Sequence, residues 1–158
     1  MTSRTVALAA DHGGYDLKEL LKKELQGWGY EVLDLGTDGT ASVDYPDYAE
    51  AMAAAIRAKA ADSGVLVCGT GIGISIAANR HPDIRAALVH DGMTARLARE
   101  HNDANVVVFG GRTTGPDTAK ECLKVFLNTE FEGGRHARRV AKMSIPLDQP
   151  EQMPKFWK

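Results

Sequence analysis

The stretch Val65-Leu-Val-Cys-Gly-Thr-Gly-Ile-Gly-Ile-Ser-Ile-Ala-Ala-Asn79 restricts the folds open to this chain more than any other. It begins with β-branched and apolar residues, the pattern of a buried strand. It then passes through Gly69, Gly71 and Gly73 and ends in a small-residue apolar run that predicts a tightly packed helix. A strand that turns through glycines into a helix leaves backbone N–H groups unpaired and pointing outward. The helix dipole makes such a turn favourable for an anion. Cys68 is the last residue of the predicted strand, at the lip of the turn.

The rest of the chain repeats this alternation. Strands are predicted at Thr5–Ala10, Tyr30–Leu35, Ile84–Val89 and Asn105–Phe109, besides the one ending at Cys68. Helices are predicted at Tyr15–Trp28, Asp47–Ala60, Met93–Glu100 and Arg135–Ser144, with others after the glycine turn and from Gly115-Pro116. Leu17, Leu20, Leu21, Leu25 and Trp28 share one helical face, and Gly27 and Gly29 end that helix. Five strands alternating with helices predict an open doubly wound, Rossmann-like α/β fold. Its five-stranded parallel sheet is covered by helices on both faces. A single domain over residues 1–146 is expected, followed by an extended or loosely held tail at 147–158. Such folds bind ligands beyond the carboxyl ends of the strands, at a topological switch point. Asp11-His12, Cys68-Gly-Thr-Gly, His90-Asp91 and Gly110-Gly-Arg112 are therefore expected on one surface.

Composition narrows the partners. A chain of 158 residues, 44% hydrophobic and 25% charged, has the balance of a soluble globular domain. A net charge of −2 argues against nucleic acid or an anionic membrane as a partner. No apolar run is long enough to span a bilayer, and the first residues lack a signal-peptide layout. Two cysteines, Cys68 and Cys122, are too few for a disulfide framework, which makes the reducing cytoplasm the expected compartment.

Each residue with chemical potential has a plainer reading beside it. Cys68 reads as a small core residue ending a strand, or as a thiol whose thiolate is favoured by the following helix N-terminus. Cys122, on an apolar helical face, reads as inert core. The glycine turn is not a P-loop, because no Lys-Ser/Thr pair follows it. Asp11-His12 reads as a capped turn or as an acid/base pair facing a ligand. His101 lies at a helix C-terminus, where the dipole favours an imidazole in any case. His90 reads as a turn residue, and His81 and His136 as surface residues. Arg135 and Arg139 stand four apart, so they share a face and could converge on a phosphate. A solvated basic face is the alternative.

Six segments together carry a more specific signal. They are Asp11-His12-Gly, Asp44-Tyr45-Pro46, Cys68 to Asn79, His101-Asn102-Asp103-Ala-Asn105, Phe109-Gly-Gly-Arg112 and Glu132-Gly-Gly-Arg-His136. In order and spacing they resemble the B-type ribose-5-phosphate isomerases over roughly residues 4–145. The resemblance implies interconversion of ribose 5-phosphate and ribulose 5-phosphate, with no metal and no organic cofactor. Cys68 matches the base that moves a proton between C2 and C1. A second branch of the family uses a glutamate later in the motif, where this chain has Ile74, so the chain resembles the cysteine branch. His101 matches the residue that opens the sugar ring, assisted by Asp11. Gly69, Thr70, Gly71, Ile72 and Gly73 match the loop that binds the enediolate. His12, Arg112, Arg135 and Arg139 match substrate and phosphate contacts, Asn102 matches a ligand of the sugar hydroxyls, and Tyr45 lines the pocket. In that family the site is completed in a dimer, which implies that His101, Asn102 and Arg112 come from a neighbouring subunit. Isomerases of six-carbon sugar phosphates, and a non-catalytic phosphate- or nucleotide-binding module, remain as alternatives.

Overall fold

The computed structural model describes residues 4–146 and 148–152. Five strands form one sheet: β1 (Thr5–Ala10), β2 (Glu31–Asp34), β3 (Ser63–Cys68), β4 (Ala86–Leu88) and β5 (Val106–Gly110). The order is β2-β1-β3-β5-β4, and every neighbouring pair is parallel. β1 has β2 on one side and β3 on the other, so the chain reverses direction across the sheet between β1 and β3. Crevices at such a reversal, beyond the carboxyl ends of the strands, are where this fold takes its ligands. Asp11-His12 follows β1 there, and Cys68 ends β3.

The central strands show why the sequence reads as it does. β3 and β5 are buried throughout, and β1 nearly so, as expected for parallel strands covered on both faces. Six helices follow the strands: α1 (Tyr15–Gly27), α2 (Tyr45–Arg57), α3 (Ile72–Ala78), α4 (Gly92–Glu100), α5 (Pro116–Leu127) and α6 (Arg135–Met143). α1, α4 and α5 cover one face, through Leu17, Leu21 and Leu25, Ala95 and Ala98, and Cys122, Leu123 and Phe126. α2 and α3 cover the other, through Ala49, Met52, Ala53, Ile74, Ala77 and Ala78. No helix of the described residues is long and apolar enough to cross a membrane.

The fold agrees with the doubly wound expectation, and its elements differ in extent. α2 starts at Tyr45 rather than Asp47, because Pro46 fits the first helical turn and Asp44 is the extended residue before it. It stops at Arg57 rather than Ala60, since the chain leaves the helix at Lys59 with a φ of 56°. β4 is three residues long rather than six: Ile84 N–H closes a turn onto the His81 carbonyl, and the strand lies at the sheet edge. In the tail, expected to be extended or loosely held, Pro150–Gln152 forms a 3₁₀ turn. Leu147 and residues 153–158 lie outside the described residues.

One buried charge stands out against this apolar interior. Lys18 lies on the inner face of α1, with its side chain 1% exposed. Its Nζ donates to Asp34 at 2.8 and 3.0 Å and to Glu19 at 2.9 Å. Lys22 Nζ and Gly36 N–H also donate to Asp34, at 2.8 and 3.0 Å. Burial alone would push the Asp34 carboxyl up, but the hydrogen bonds from Lys18, Lys22 and Gly36 outweigh it and hold it at about 2. That is below the unfolded value of about 3.9. The carboxylate therefore contributes stability that is present above the unfolded value and is lost as pH falls through the folded one.

Removing one member of a buried ion pair strands the other, which costs about 3–5 kcal/mol, and less where the stranded ion is partly exposed and keeps other partners, as Asp34 keeps Lys22 and Gly36 N–H. Asp34→Asn should therefore lower the urea unfolding free energy at pH 7 by about 3 kcal/mol, the low end of that range, because Glu19 still faces Lys18. It should also flatten the loss of stability between about pH 4 and pH 2. Lys18→Met should cost clearly less. Equal losses for the two variants would contradict this account of the pair.

Candidate active site

Three loops meet at the carboxyl ends of β1, β3 and β5. Gly111 N–H donates to the Cys68 carbonyl at 2.8 Å, and Arg112 N–H to the Gly69 carbonyl at 2.9 Å. Asp11 N–H donates to the Val67 carbonyl at 3.2 Å. The approach is close enough to require glycine: a Cβ on Gly14 would stand 2.5 Å from the Val67 carbonyl oxygen. Three of the four segments expected on one surface, Asp11-His12, Cys68-Gly-Thr-Gly and Gly110-Gly-Arg112, thus meet here, while His90-Asp91 follows β4 at the sheet edge.

Cys68 lies at its centre and is 4% exposed. Gly71 N–H donates to Cys68 Sγ at 3.1 Å, so the turn folds back onto the sulfur. Gly71 can do this because its φ is +76°, where an L side chain is strained. A Cβ there would also meet Leu88 Cδ1 at 2.5 Å and the Phe109 carbonyl at 3.0 Å. Thr70 is exposed, and its Oγ1 accepts Ile72 N–H at 3.2 Å, which leaves the hydroxyl proton free to donate. The next first-turn amides, those of Gly73 and Ile74, have no intrahelical acceptor. With one amide on the sulfur, the remaining donors suit an oxyanion beside it.

The neighbouring side chains close the surface. Asp11 is buried and spends Oδ1 on Gly13 N–H at 2.9 Å and Gly14 N–H at 3.1 Å, so it holds the loop and keeps Oδ2 as a second acceptor. His12 Nδ1 accepts Val43 N–H at 3.2 Å. A neutral ring that accepts at Nδ1 carries its proton on Nε2, which can donate to a ligand. The Tyr45 ring lies over Gly73: its Cζ is 2.6 Å from the Cβ position of that glycine. Arg112 Nη1 is 3.5 Å from the Cβ position of Gly69 in the same chain. Arg112 thus reaches the loop without a neighbouring subunit, contrary to the expectation, because β5 pairs with β3 and delivers it there. Cys122 supplies the contrast: it is fully buried in α5, and burial, then the Asp91 and Glu121 charges, push its thiol up.

The other candidates lie elsewhere. α4 returns from the carboxyl end of β4 to the amino end of β5, so His101 and Asn102 at its close stand at the opposite edge of the sheet. β5 and its approach put roughly 15 Å between the two ends. α6 joins His101 there: Glu132 N–H donates to the Glu100 carbonyl at 3.1 Å, and the His136 ring stacks on the His101 ring at 4.2 Å with 12° between planes. Arg135 and Arg139 are exposed on the same helix. His136 was expected at the surface and is instead 5% exposed. It occupies the apolar side of α6 with Val140, four residues on. That i, i+4 pair was the signal in the sequence. Burial first, then the neighbouring His101 and Arg135, push the His136 imidazole down.

The model of the family described as Ribose/Galactose Isomerase matches residues 6–143. The chain belongs to this family. Ribose-5-phosphate isomerase B of Escherichia coli is 43% identical over 137 residues, 87% of this chain and 92% of that protein. D-erythrulose-4-phosphate isomerase of Pectobacterium atrosepticum is 42% identical over 140 residues, 88% and 92% of the two chains. The crystal structure of a ribose 5-phosphate isomerase from Thermotoga maritima superposes with a TM-score of 0.89 at 49% identity, covering 90% and 99%. Membership in the ribose/galactose isomerase family thus covers both clusters of candidate residues.

Gly71→Ala tests the geometry around Cys68 directly. A left-handed alanine costs about 1–2 kcal/mol and overpacking about 1–3 kcal/mol. The variant should lose about 3 kcal/mol in urea unfolding. A loss below about 0.5 kcal/mol would show that the turn does not hold this conformation.

Proposed function

We propose that the chain interconverts ribose 5-phosphate and ribulose 5-phosphate, with Cys68 as the base. Its family acts on phosphorylated sugars as isomerases, and the observation that carries the finer reading is the buried sulfur that accepts Gly71 N–H beside a turn with further unspent donors. The Cys68 thiolate takes the proton from C2 of the open-chain aldose. The C–H electron pair forms the C1–C2 double bond, and the carbonyl electrons move to O1. The thiol returns the proton at C1, while the O2 hydroxyl proton passes to O1 and O2 becomes the new carbonyl. A placed base contributes roughly 10²–10⁴-fold. Each well-aimed donor to the enediolate contributes about 3 kcal/mol, and in this reading the donors are Thr70 Oγ1 and the uncommitted amides of the Gly69–Gly73 turn and the start of α3, those of Gly73 and Ile74 among them. His12 and Tyr45 line the same loop.

In this reading the remaining residues come from a second copy of the chain. His101 opens the ring with help from Asp11, Asn102 binds sugar hydroxyls, and Arg135 and Arg139 grip the phosphate. Support comes from the separation of the two clusters within one chain, which is longer than a five-carbon sugar phosphate can bridge. It comes also from α3, where Ile72 and Ile76 are 54% and 63% exposed on one face beside the loop. A homodimer packed through that face would cover them. The Pectobacterium relative acts, by its name, on a four-carbon sugar phosphate, so chain length of the substrate is the open variable within this chemistry.

Cys68→Ala should keep its fold and its binding of ribose 5-phosphate and lose turnover by about 10³-fold. Full activity in that variant would rule the thiol out as base. With the native chain, kcat/KM should be highest for ribose 5-phosphate in a panel with erythrulose 4-phosphate, allose 6-phosphate and galactose 6-phosphate. A higher value for any of the others reassigns the substrate and leaves the proton chemistry in place.

A further inference from the structure

Outside the chemistry of Cys68, the described residues hold one compact set of metal-ligating side chains. His101, Glu132 and His136 each place a ligand atom within 4.8 Å of the other two. Glu132 Oε2 and His136 Nε2 are 3.6 Å apart. Ligand atoms around a tetrahedral zinc stand about 3.4 Å apart, given bonds of about 2.0–2.1 Å. The gap is too long for a hydrogen bond and close to the edge of a coordination site.

A second observation points to a ligand. His136 Nε2 is buried and has no hydrogen-bond partner, with the side chain 7% exposed. Buried polar atoms are nearly always satisfied, and an orphan at a converging set of donors marks an absent group. The His101 ring stacks on His136 at 4.2 Å between centroids with 12° between planes, so it must rotate out of the stack to aim a nitrogen at the same point, and Glu132 is 51% exposed and free to swing inward. His101 is half-buried at the end of its helix and can also turn. His136 stays fixed in the α6 packing, so rotation of His101 and a swing of Glu132 close the set.

We propose that His101, Glu132 and His136 form a binding site for a divalent cation of borderline softness, zinc above all, with water as the fourth ligand. Two imidazoles and one carboxylate select such an ion over magnesium or calcium, which prefer oxygen. The ion is an inhibitor rather than a cofactor: bound there, it holds the imidazole that the proposed reaction uses to open the ring. That effect on turnover rests on the isomerase reading; the binding does not.

The test uses the full-length Cys68→Ser chain, so that no thiolate at the other end of the sheet can bind the metal. Calorimetric titration with zinc chloride should show one ion per chain. Glu132→Gln and His136→Asn in that background should each weaken binding at least tenfold, with far-ultraviolet circular dichroism unchanged. Absence of saturable binding, or affinity in either variant unchanged from that of the Cys68→Ser chain, would overturn the site. In the chain with Cys68 intact, Glu132→Gln should raise the inhibitory zinc concentration at least tenfold. If binding obeys the first arm and inhibition ignores Glu132, the site stands and its inhibitory role falls, the inhibition then running through zinc on Cys68.

Discussion

The contact on which the rest depends is the hydrogen bond from Gly71 N–H to Cys68 Sγ. It exists because three loops approach more closely than side chains would allow. β3 lies between β1 and β5, so the loops after all three strands crowd onto one spot. Glycines at Gly14 and Gly71 let backbone reach backbone there. The result is a buried sulfur with one amide committed to it and other donors left unspent. Proton removal next to a carbonyl requires that combination: a base, and charge stabilisation within a few ångströms of it.

The same parallel topology explains why the two clusters of candidate residues lie apart within one chain. A helix that follows a parallel strand must run back to the other end of the sheet. α4 obeys, and it carries His101 and Asn102 away from the strand ends that hold Cys68. α6 then docks on the end of α4 through the His136–His101 stack and brings its arginines to the same place. The arginines and the sulfur thus belong to opposite poles of the sheet. The exposed isoleucines of α3 stand beside the sulfur pole, where a second copy would bring its arginine pole.

Much of this was legible in the sequence, for physical reasons. β3 could be read because a fully buried parallel strand is a continuous apolar run, and the glycine turn could be read because few other residues permit it. Element ends were less legible: the ends of α2 depended on Pro46 geometry and on a left-handed Lys59, which periodicity does not report. Lys18 was invisible as a core residue, because its partner Asp34 lies on another element. His136 looked like one more polar residue of a basic helix, and only its i, i+4 spacing to Val140 pointed to the buried side that packs on the end of α4. Arg112 was misplaced by analogy, while strand pairing puts it over Gly69.

The division of the site between two copies is most directly tested by mixing two inactive variants, Cys68→Ala and His101→Ala, under conditions that let subunits exchange. Each homodimer would lack one necessary group at both sites. A mixed dimer would unite an intact Cys68 from one chain with an intact His101 from the other at one of its two sites. Random pairing of equal amounts should restore about a quarter of native specific activity. Activity that stays at the level of the separate variants after proven exchange would contradict the account.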